Sequence, residues 1–118
     1  MASEALEIPV VEDLIELGLE VDRHEEPWVV TATAWAADGS GVALTWDESA
    51  RSVAVRWFDD AGDRARLERE TATKVSVRKQ DDGTIEFRVW MRSADLDGEL
   101  LIQVGRRVTL SDALLVTR

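Results

Sequence analysis

Few residues of this sequence could carry out acid–base or nucleophilic chemistry. The single histidine, His24, lies beside Glu25 and Glu26, and it could activate a serine or threonine with a carboxylate as its orienting group. One histidine among 24 acidic residues is more typical of a solvated loop, and we expect it to have no catalytic role. The absence of cysteine excludes a thiol nucleophile, a disulfide framework and a thiolate zinc site.

Neighbouring aspartates recur along the chain, at Asp59-Asp60, Asp81-Asp82 and Asp95-x-Asp97. Paired carboxylates can perform general acid–base catalysis or glycoside hydrolysis. Here each pair lies near a glycine in a predicted turn, where aspartate is favoured because its side chain accepts hydrogen bonds from the backbone. The segment 59–63 lacks the alternating ligands and closing glutamate of a calcium loop, and Gly39-Ser40-Gly41 has no helix after it to bind phosphate. We therefore predict no enzyme, no metal and no cofactor.

A hairpin near the middle of the chain offers better prospects for binding. Apolar and polar residues alternate on both arms, as in strands with one buried face. A three-residue turn, Asp81 to Gly83, would pair Val77 with Phe87 and Val75 with Val89. A two-residue turn would place opposite kinds of side chain on one face, so the three-residue turn is predicted.

This register gathers five residues on the polar face of the hairpin, and they form the candidate protein-binding site: Lys74, Arg78, Arg88, Trp90 and Arg92. A basic sheet surface with one aromatic is typical of proteins that bind single-stranded nucleic acid. A net charge of −10 opposes phosphate contacts, which makes nucleic acid an unlikely partner. The same residues could form a solvated face with cross-strand Arg78–Glu86 and Lys74–Trp90 pairs. Among binding functions, another protein is the favoured partner.

The charge is divided unevenly between the two halves of the chain. Residues 1–60 contain 14 acids and 3 bases, whereas residues 61–118 contain 10 acids and 11 bases. Either the fold interleaves the halves and blurs this division, or the surface is polarised. A strongly acidic surface accelerates association with a basic target. The leading interpretation is a non-catalytic protein-binding module, for example an inhibitor or immunity-type protein for a basic partner.

The five tryptophans suggest an alternative function. Alternation places Trp46 and Trp57 in the core, whereas Trp90 and either Trp28 or Trp35 fall on the other face. Exposed tryptophans are typical anchors of protein interfaces. If the sheet closes into a barrel, Trp28, Trp35, Trp46 and Trp57 could instead line a pocket for a small molecule.

The elements that position these residues belong to a single domain, residues 1–118. Pro9 suits the first turn of a helix and Gly18 its end. The predicted elements are a helix at 9–17, strands at 28–37, 42–47, 52–58, 64–79, 84–92 and 99–104, and one or two short strands within 108–116. The fold class is mainly β: an antiparallel meander of six to eight strands over 28–116, curled into a barrel or two-layer sandwich, with one short N-terminal helix packed on it.

Two further registers follow from alternation. A four-residue loop at 48–51 pairs Trp46 with Val53. A glycine-ended loop at 60–62 pairs Trp57 with Ala65, and the long strand at 64–79 is then expected to bend near 69–71. The strand at 28–37 is ambiguous, because either its small residues at 30, 32 and 34 or Trp35 could face the core. The residues at 93–98 are predicted to be a loop.

The start of the sequence lacks the basic and apolar regions of a secretory signal, and no apolar run is long enough for a membrane helix. We expect a cytoplasmic protein without a membrane partner. Arginine outnumbers lysine 12 to 2, which hints at a bacterial origin. The sequence leaves the formation of homo-oligomers open.

Overall fold

The computed structural model describes residues 5–93 and 96–116, which form one short helix and nine strands. The elements are α1 (Val11–Glu16), β1 (Glu20–Arg23), β2 (Val29–Trp35), β3 (Gly41–Asp47), β4 (Ser52–Asp59), β5 (Gly62–Arg69), β6 (Ala72–Lys79), β7 (Ile85–Ser93), β8 (Leu96–Val104) and β9 (Val108–Val116). This part of the chain contains no helix long and apolar enough to cross a bilayer.

The strands form two antiparallel sheets, each with its strands in chain order. Strands β1 to β5 make a five-stranded sheet, and β6 to β9 make a four-stranded sheet. The predicted mainly β meander is confirmed, with eight strands between residues 28 and 116 and β1 as a ninth. The described strands do not close into a barrel, which decides between the two predicted architectures in favour of the sandwich.

The core lies between the inner faces of the two sheets. Its fully buried large side chains come from both layers and from α1: Trp46, Phe87, Leu14, Leu44, Leu100, Ile102, Val42, Val53 and Val89. Removing this apolar surface from water is the main force that holds the layers together. The ambiguity of β2 is also resolved. Ala32 and Ala34 are buried, whereas Trp35 faces outward, because small residues on β2 leave room for Trp46 and Leu44 on β3.

The hairpin β6–β7 has the predicted register. Val77 pairs with Phe87 and Val75 with Val89 across the three-residue turn. Gly83 has φ +90°, a left-handed conformation that glycine adopts without steric cost. The predicted pairs Trp46–Val53 and Trp57–Ala65 are present in the other sheet as well. Local alternation therefore predicted each of these registers.

The predicted long strand at 64–79 is instead two strands in different sheets. β5 ends at Arg69 and β6 begins at Ala72, so the expected bend is the point where the chain changes layer. Thr71 has φ +57°, which is unfavourable for a β-branched residue and breaks the extended backbone. Hydrogen bonds hold this break in place: Ala72 N–H donates to the Arg51 carbonyl, and Arg92 N–H donates to the Thr71 carbonyl.

The predicted loop at 93–98 is wrong. β7 continues to Ser93 and β8 already begins at Leu96, with Ser93 opposite Leu96 and Arg92 opposite Asp97. The turn-favouring residues Asp97 and Gly98 therefore lie within a strand, because cross-strand pairing with β7 outweighs their local preference. Ala94 and Asp95 lie outside the described residues.

The helix is shorter than the predicted range 9–17. Val10 is extended, with φ −74° and ψ 134°, and no side chain caps α1. The residues before it pair with the four-stranded sheet instead: Glu7 N–H donates to the Thr73 carbonyl, and Val75 N–H donates to the Glu7 carbonyl. The N-terminal segment thereby pairs with β6 of the four-stranded sheet and then continues through α1 to β1 of the five-stranded sheet. On the opposite side of the sandwich, an ion pair between Arg69 and Asp112 joins β5 to β9.

Candidate protein-binding faces of the two sheets

The five predicted binding residues share the outer face of the four-stranded sheet, which we call the hairpin face: Lys74, Arg78, Arg88, Trp90 and Arg92. Their neighbours on the same strands, such as Phe87 and Val89, point into the core, and strand alternation directs the five outward. The structure therefore brings the predicted set together. Its role in binding stays a prediction.

The two central arginine positions of the hairpin face are compensated by carboxylates. Arg78 Nε lies 3.5 Å from Glu86 Oε1, and Arg88 reaches both Glu86 at 3.3 Å and Glu99 at 3.2 Å. The Arg88 Nε–H is buried without a hydrogen-bond acceptor in good geometry, so its attraction to Glu99 is coulombic. The cross-strand Arg78–Glu86 pair is one that the hairpin register implied.

The outer cations of this face are compensated in the same way. Lys74 Nζ lies 3.2 Å from Glu7 of the N-terminal segment, and Arg92 Nε donates to Asp97 Oδ1 at 2.9 Å. Exposed pairs of this kind contribute about 0–1 kcal/mol each. Their larger effect is on the electric field, because every cation of the hairpin face has a carboxylate beside it.

Glu86 is the most buried charged group of the hairpin face, with 6% of its surface exposed. A buried carboxylate is stable only when its oxygens have partners. Arg78 and Arg88 provide charge, and Gln80 Nε2 donates a hydrogen bond to Glu86 Oε2 at 2.9 Å. Glu86 therefore organises the side chains around it.

Trp90 is half-buried and bounded by cations. Lys74 Nζ lies 5.3 Å and Arg88 Cζ 5.8 Å from the centre of its ring, so both are within cation–π range. The ring borders a cavity of about 320 Å³ whose walls include Leu101 and Ala113. Part of the Trp90 ring thus contacts side chains of this protein, and part of it is accessible from outside.

The four tryptophans of the alternative pocket do not come together. Trp46 is fully buried in the core, and Trp57 is partly buried on the same side of the sheet. Trp35 points to the opposite side and is 58% exposed, and Trp28 is 43% exposed. Side chains on opposite faces of one sheet cannot line one cavity, so the small-molecule pocket lacks the walls that the sequence interpretation gave it.

The outer face of the five-stranded sheet carries a second candidate surface that sequence reasoning missed. Halfway along its three middle strands the outward side chains are small, and we call the depression over them the trough; its floor is Thr31, Ala43, Thr45 and Ala54. The trough encloses about 590 Å³. The sequence signal for it is the series of Thr and Ala at alternate positions of β2 to β4.

Long charged side chains from the two edge strands form the rims of the trough. Glu20 and Asp22 lie on β1, and Glu68 lies on β5. Arg56 and Arg66 stand near one end, each with its Nε 3.7 Å from a carboxylate oxygen of Asp63. Within 5–93 and 96–116, none of the ion pairs involves the three carboxylates of the rims.

An aromatic pair closes the basic end of the trough. The rings of Trp35 and Phe58 meet edge to face with centres 5.2 Å apart, and Arg56 Cζ lies 4.6 Å from the centre of the Phe58 ring. Gly41 lies beneath this pair, because a Cβ there would be 2.7 Å from Phe58 Cζ. An exposed tryptophan that is held by a neighbouring ring has the character of an interface anchor.

His24 borders the same face. Its Nε2 lies 2.7 Å from Thr31 Oγ1, which is 2.6 Å from Thr45 Oγ1. Within the part of the chain that the structure describes, no three histidine, aspartate or glutamate side chains are grouped to hold a metal ion. The two hydroxyl groups hold the His24 ring at the β1 side of the trough.

Four aspartates hold turns. In each of them, a carboxylate oxygen accepts a hydrogen bond from a backbone N–H. Asp38 accepts from Ser40, Asp47 from Ala50, Asp59 from Ala61 and Asp82 from Thr84. The hydroxyl and the backbone N–H of Ser40 lower the pKa of the Asp38 carboxyl below its usual value, and the backbone hydrogen bonds at Asp47, Asp59 and Asp82 lower the pKa of those carboxyls in the same way. Asp59 and Asp82 are therefore turn residues, as their positions near glycine indicated.

Comparison with known proteins gives one informative similarity. No protein-family model matches the chain, and no curated protein sequence matches it. The structure is similar to a chain of a contact-dependent growth inhibition toxin–immunity protein complex from Klebsiella pneumoniae 342, with a TM-score of 0.74. The similarity covers 92% of this chain and 96% of that chain, at 13% sequence identity. At this identity, the two chains are shown to share a fold.

Proposed function

We propose that the chain is a non-catalytic protein-binding module of the immunity type, which binds and neutralises a basic partner protein. The observation that carries this proposal is the similarity, over nearly the whole of both chains, to a chain of a toxin–immunity protein complex. Fold alone does not assign function, so the proposal also needs support from the surface of this protein.

The distribution of charge supplies that support. The chain has a net charge of −10, and none of the ion pairs among the described residues involves the carboxylates on the rims of the trough. Such a surface attracts a basic protein over a distance and raises the association rate, as an inhibitor of a harmful partner requires. The same charge disfavours nucleic acid. We place this activity in the cytoplasm.

The proposal assigns two candidate binding surfaces. The trough is the first, because its rim carboxylates take part in none of the ion pairs of the described residues and its aromatic anchor, Trp35, is exposed. The hairpin face, with Lys74, Arg78, Arg88, Trp90 and Arg92, is the second, because Trp90 borders an open cavity. A partner that bound the hairpin face would have to replace existing ion pairs, which costs desolvation on both sides.

The test is co-expression with the protein encoded by the gene next to that of this chain. We expect the neighbouring protein to slow growth when produced alone, normal growth when both are produced, and elution of the pair as one complex. Phe87→Asp disrupts the core and should abolish protection, whereas Asp81→Asn at the exposed hairpin turn should preserve it. Absence of both protection and a complex with the wild-type chain would contradict the proposed function.

A further inference from the structure

The trough has the dimensions of a seat for one helix. The width of the trough from Thr31 on β2 to Glu68 on β5 is three strand spacings, about 14 Å. An α-helix with its side chains is about 10–12 Å in diameter. The floor consists of methyl and hydroxyl groups, on which a helix can lie closely, and the long side chains stand on both sides.

The charge of this face determines which helix would fit. Six carboxylates and two guanidinium groups share the face: Glu20, Asp22, Asp47, Asp63, Glu68 and Glu70, with Arg56 and Arg66. Both arginines are directed at Asp63, and none of the ion pairs within 5–93 and 96–116 involves the other five carboxylates. A partner segment with lysine or arginine at the rims would neutralise them, whereas an acidic segment would be repelled.

We propose that the trough is the docking face for a basic helix of a partner protein. Lysine or arginine side chains of the helix reach Asp22 and Glu68 at the rims, and an apolar residue packs on the exposed Trp35–Phe58 pair. The inference rests on the proposed function for the identity of the partner, but the charge and shape of the trough stand on their own.

The hairpin face cannot offer the same seat. Its cations already have carboxylate partners, and Arg78 and Arg88 cover the centre of the sheet around Glu86. A basic helix there would meet cations that already have carboxylate partners, and the cavity beside Trp90, about 320 Å³, is smaller than the trough, about 590 Å³. The two faces therefore predict opposite responses to the same probe.

The first experiment uses the full chain, labelled with ¹⁵N, and a 20-residue helical peptide of alanine and lysine. We expect shifts of amide resonances concentrated on the floor of the trough, and none with a matching alanine–glutamate peptide. Thr45→Arg places a bulky cation on the floor and should weaken binding at least tenfold. Its matched control is Ser76→Arg, which changes a half-buried hydroxyl residue on the outer face of the other sheet and should bind within twofold of wild type.

A second variant keeps the proposal testable if Thr45→Arg does not fold. Asp22→Asn combined with Glu68→Gln removes two charges without adding bulk, and should weaken the lysine peptide severalfold and reduce the salt dependence of its binding. Circular dichroism and the melting temperature establish that each variant is folded. Shifts centred on the hairpin face or α1, the absence of localised shifts, or equal binding by all variants would overturn the docking assignment.

Growth protection separates this inference from the proposed function. Protection by the wild-type chain and by Ser76→Arg, but not by Thr45→Arg, is the expected result. If Thr45→Arg also protects, the docking face is wrong and the immunity function stands. If the wild-type chain fails to protect, the proposed function is wrong, and the peptide titration still decides whether the trough binds a basic helix.

Discussion

The outer faces of the two sheets differ in how their charges are arranged. On the hairpin face, cations and carboxylates alternate across neighbouring strands, and each of the four cations lies within 4 Å of a carboxylate. On the trough, the carboxylates of the rims stand apart over a floor of small residues. The first arrangement pairs charges within this protein, and the second leaves carboxylates for the basic helix that we propose as its partner.

The largest expected difference between the faces is in stability. Glu86→Ala removes a buried carboxylate, which leaves Gln80 without its hydrogen-bond acceptor and Arg78 and Arg88 without the carboxylate between them, so we expect a loss of about 2–3 kcal/mol in the free energy of unfolding. The matched variant Glu68→Ala on the trough rim should change it by less than about 0.5 kcal/mol. Chemical denaturation of both variants measures this difference. Equal losses would show that the faces do not differ in this way.

The second expected difference is in how the stability of the fold changes with pH, and it involves the aspartates in the turns. The pKa values of Asp47, at one end of the trough, and of Asp38, Asp59 and Asp82 are lowered in the folded state. Their stabilising contribution is therefore present above the usual aspartate pKa and is lost as the pH falls through the lower, folded values. We expect the unfolding free energy to decline below about pH 4.

Two variants identify the groups responsible for that decline. Asp47→Asn should make the decline with falling pH shallower, because the variant has one fewer carboxylate to protonate in the folded state. Asp81→Asn serves as the control, since its neighbour Asp82 is the residue that accepts the turn hydrogen bond. Denaturation at several pH values between 2 and 6 measures both. Identical pH profiles for Asp47→Asn and wild type would refute the assignment.

A smaller effect is expected at the aromatic end of the trough. Gly41→Ala should displace the Phe58 ring and with it Trp35, while the free energy of unfolding changes by less than about 1 kcal/mol because the ring is at the surface. The Trp35 indole resonance should shift in a ¹⁵N spectrum. Adding Phe58→Leu to Gly41→Ala should relieve the crowding. An unchanged Trp35 resonance in the single variant would mean that Gly41 does not support the pair.

The smallest expected effect is at an exposed ion pair. Arg92→Ala breaks the pair with Asp97 and should cost about 0.5 kcal/mol or less. Asp22 takes part in none of the ion pairs within 5–93 and 96–116, so Asp22→Ala should cost nothing measurable or stabilise slightly by reducing repulsion. Thermal denaturation at low and high salt compares them. A large loss for Asp22→Ala would show that the trough carboxylates have a structural role.

Alternation predicted the registers because each depends on residues close in sequence. Val77 and Phe87 find each other across a short turn, and so do Trp46 and Val53. The change of sheet near Thr71 could not be predicted in this way, because an isolated positive φ leaves no periodic signal. The chain was expected to bend there, but a bend and a change of layer look alike in the sequence.

The pairing of charges on the two faces could not be predicted from the sequence for a related reason. Asp97 compensates Arg92 only because β8 begins earlier than the turn-favouring residues suggested. Glu7 reaches Lys74 only because the N-terminal segment crosses to β6. The rims of the trough lie on β1 and β5, which are separated by three strands, so their shared face requires the whole sheet register.

The crossing of the N-terminal segment has a consequence for folding. Glu7 is synthesised before its backbone partners, Thr73 and Val75, which follow much later in the chain. Closing so large a loop costs entropy that is recovered only once β6 and β7 have formed. Leu6 and Leu14, which are both buried in the folded protein, therefore become buried only after the hairpin has formed. The segment that precedes both sheets in the chain is therefore among the last to pack onto the sandwich.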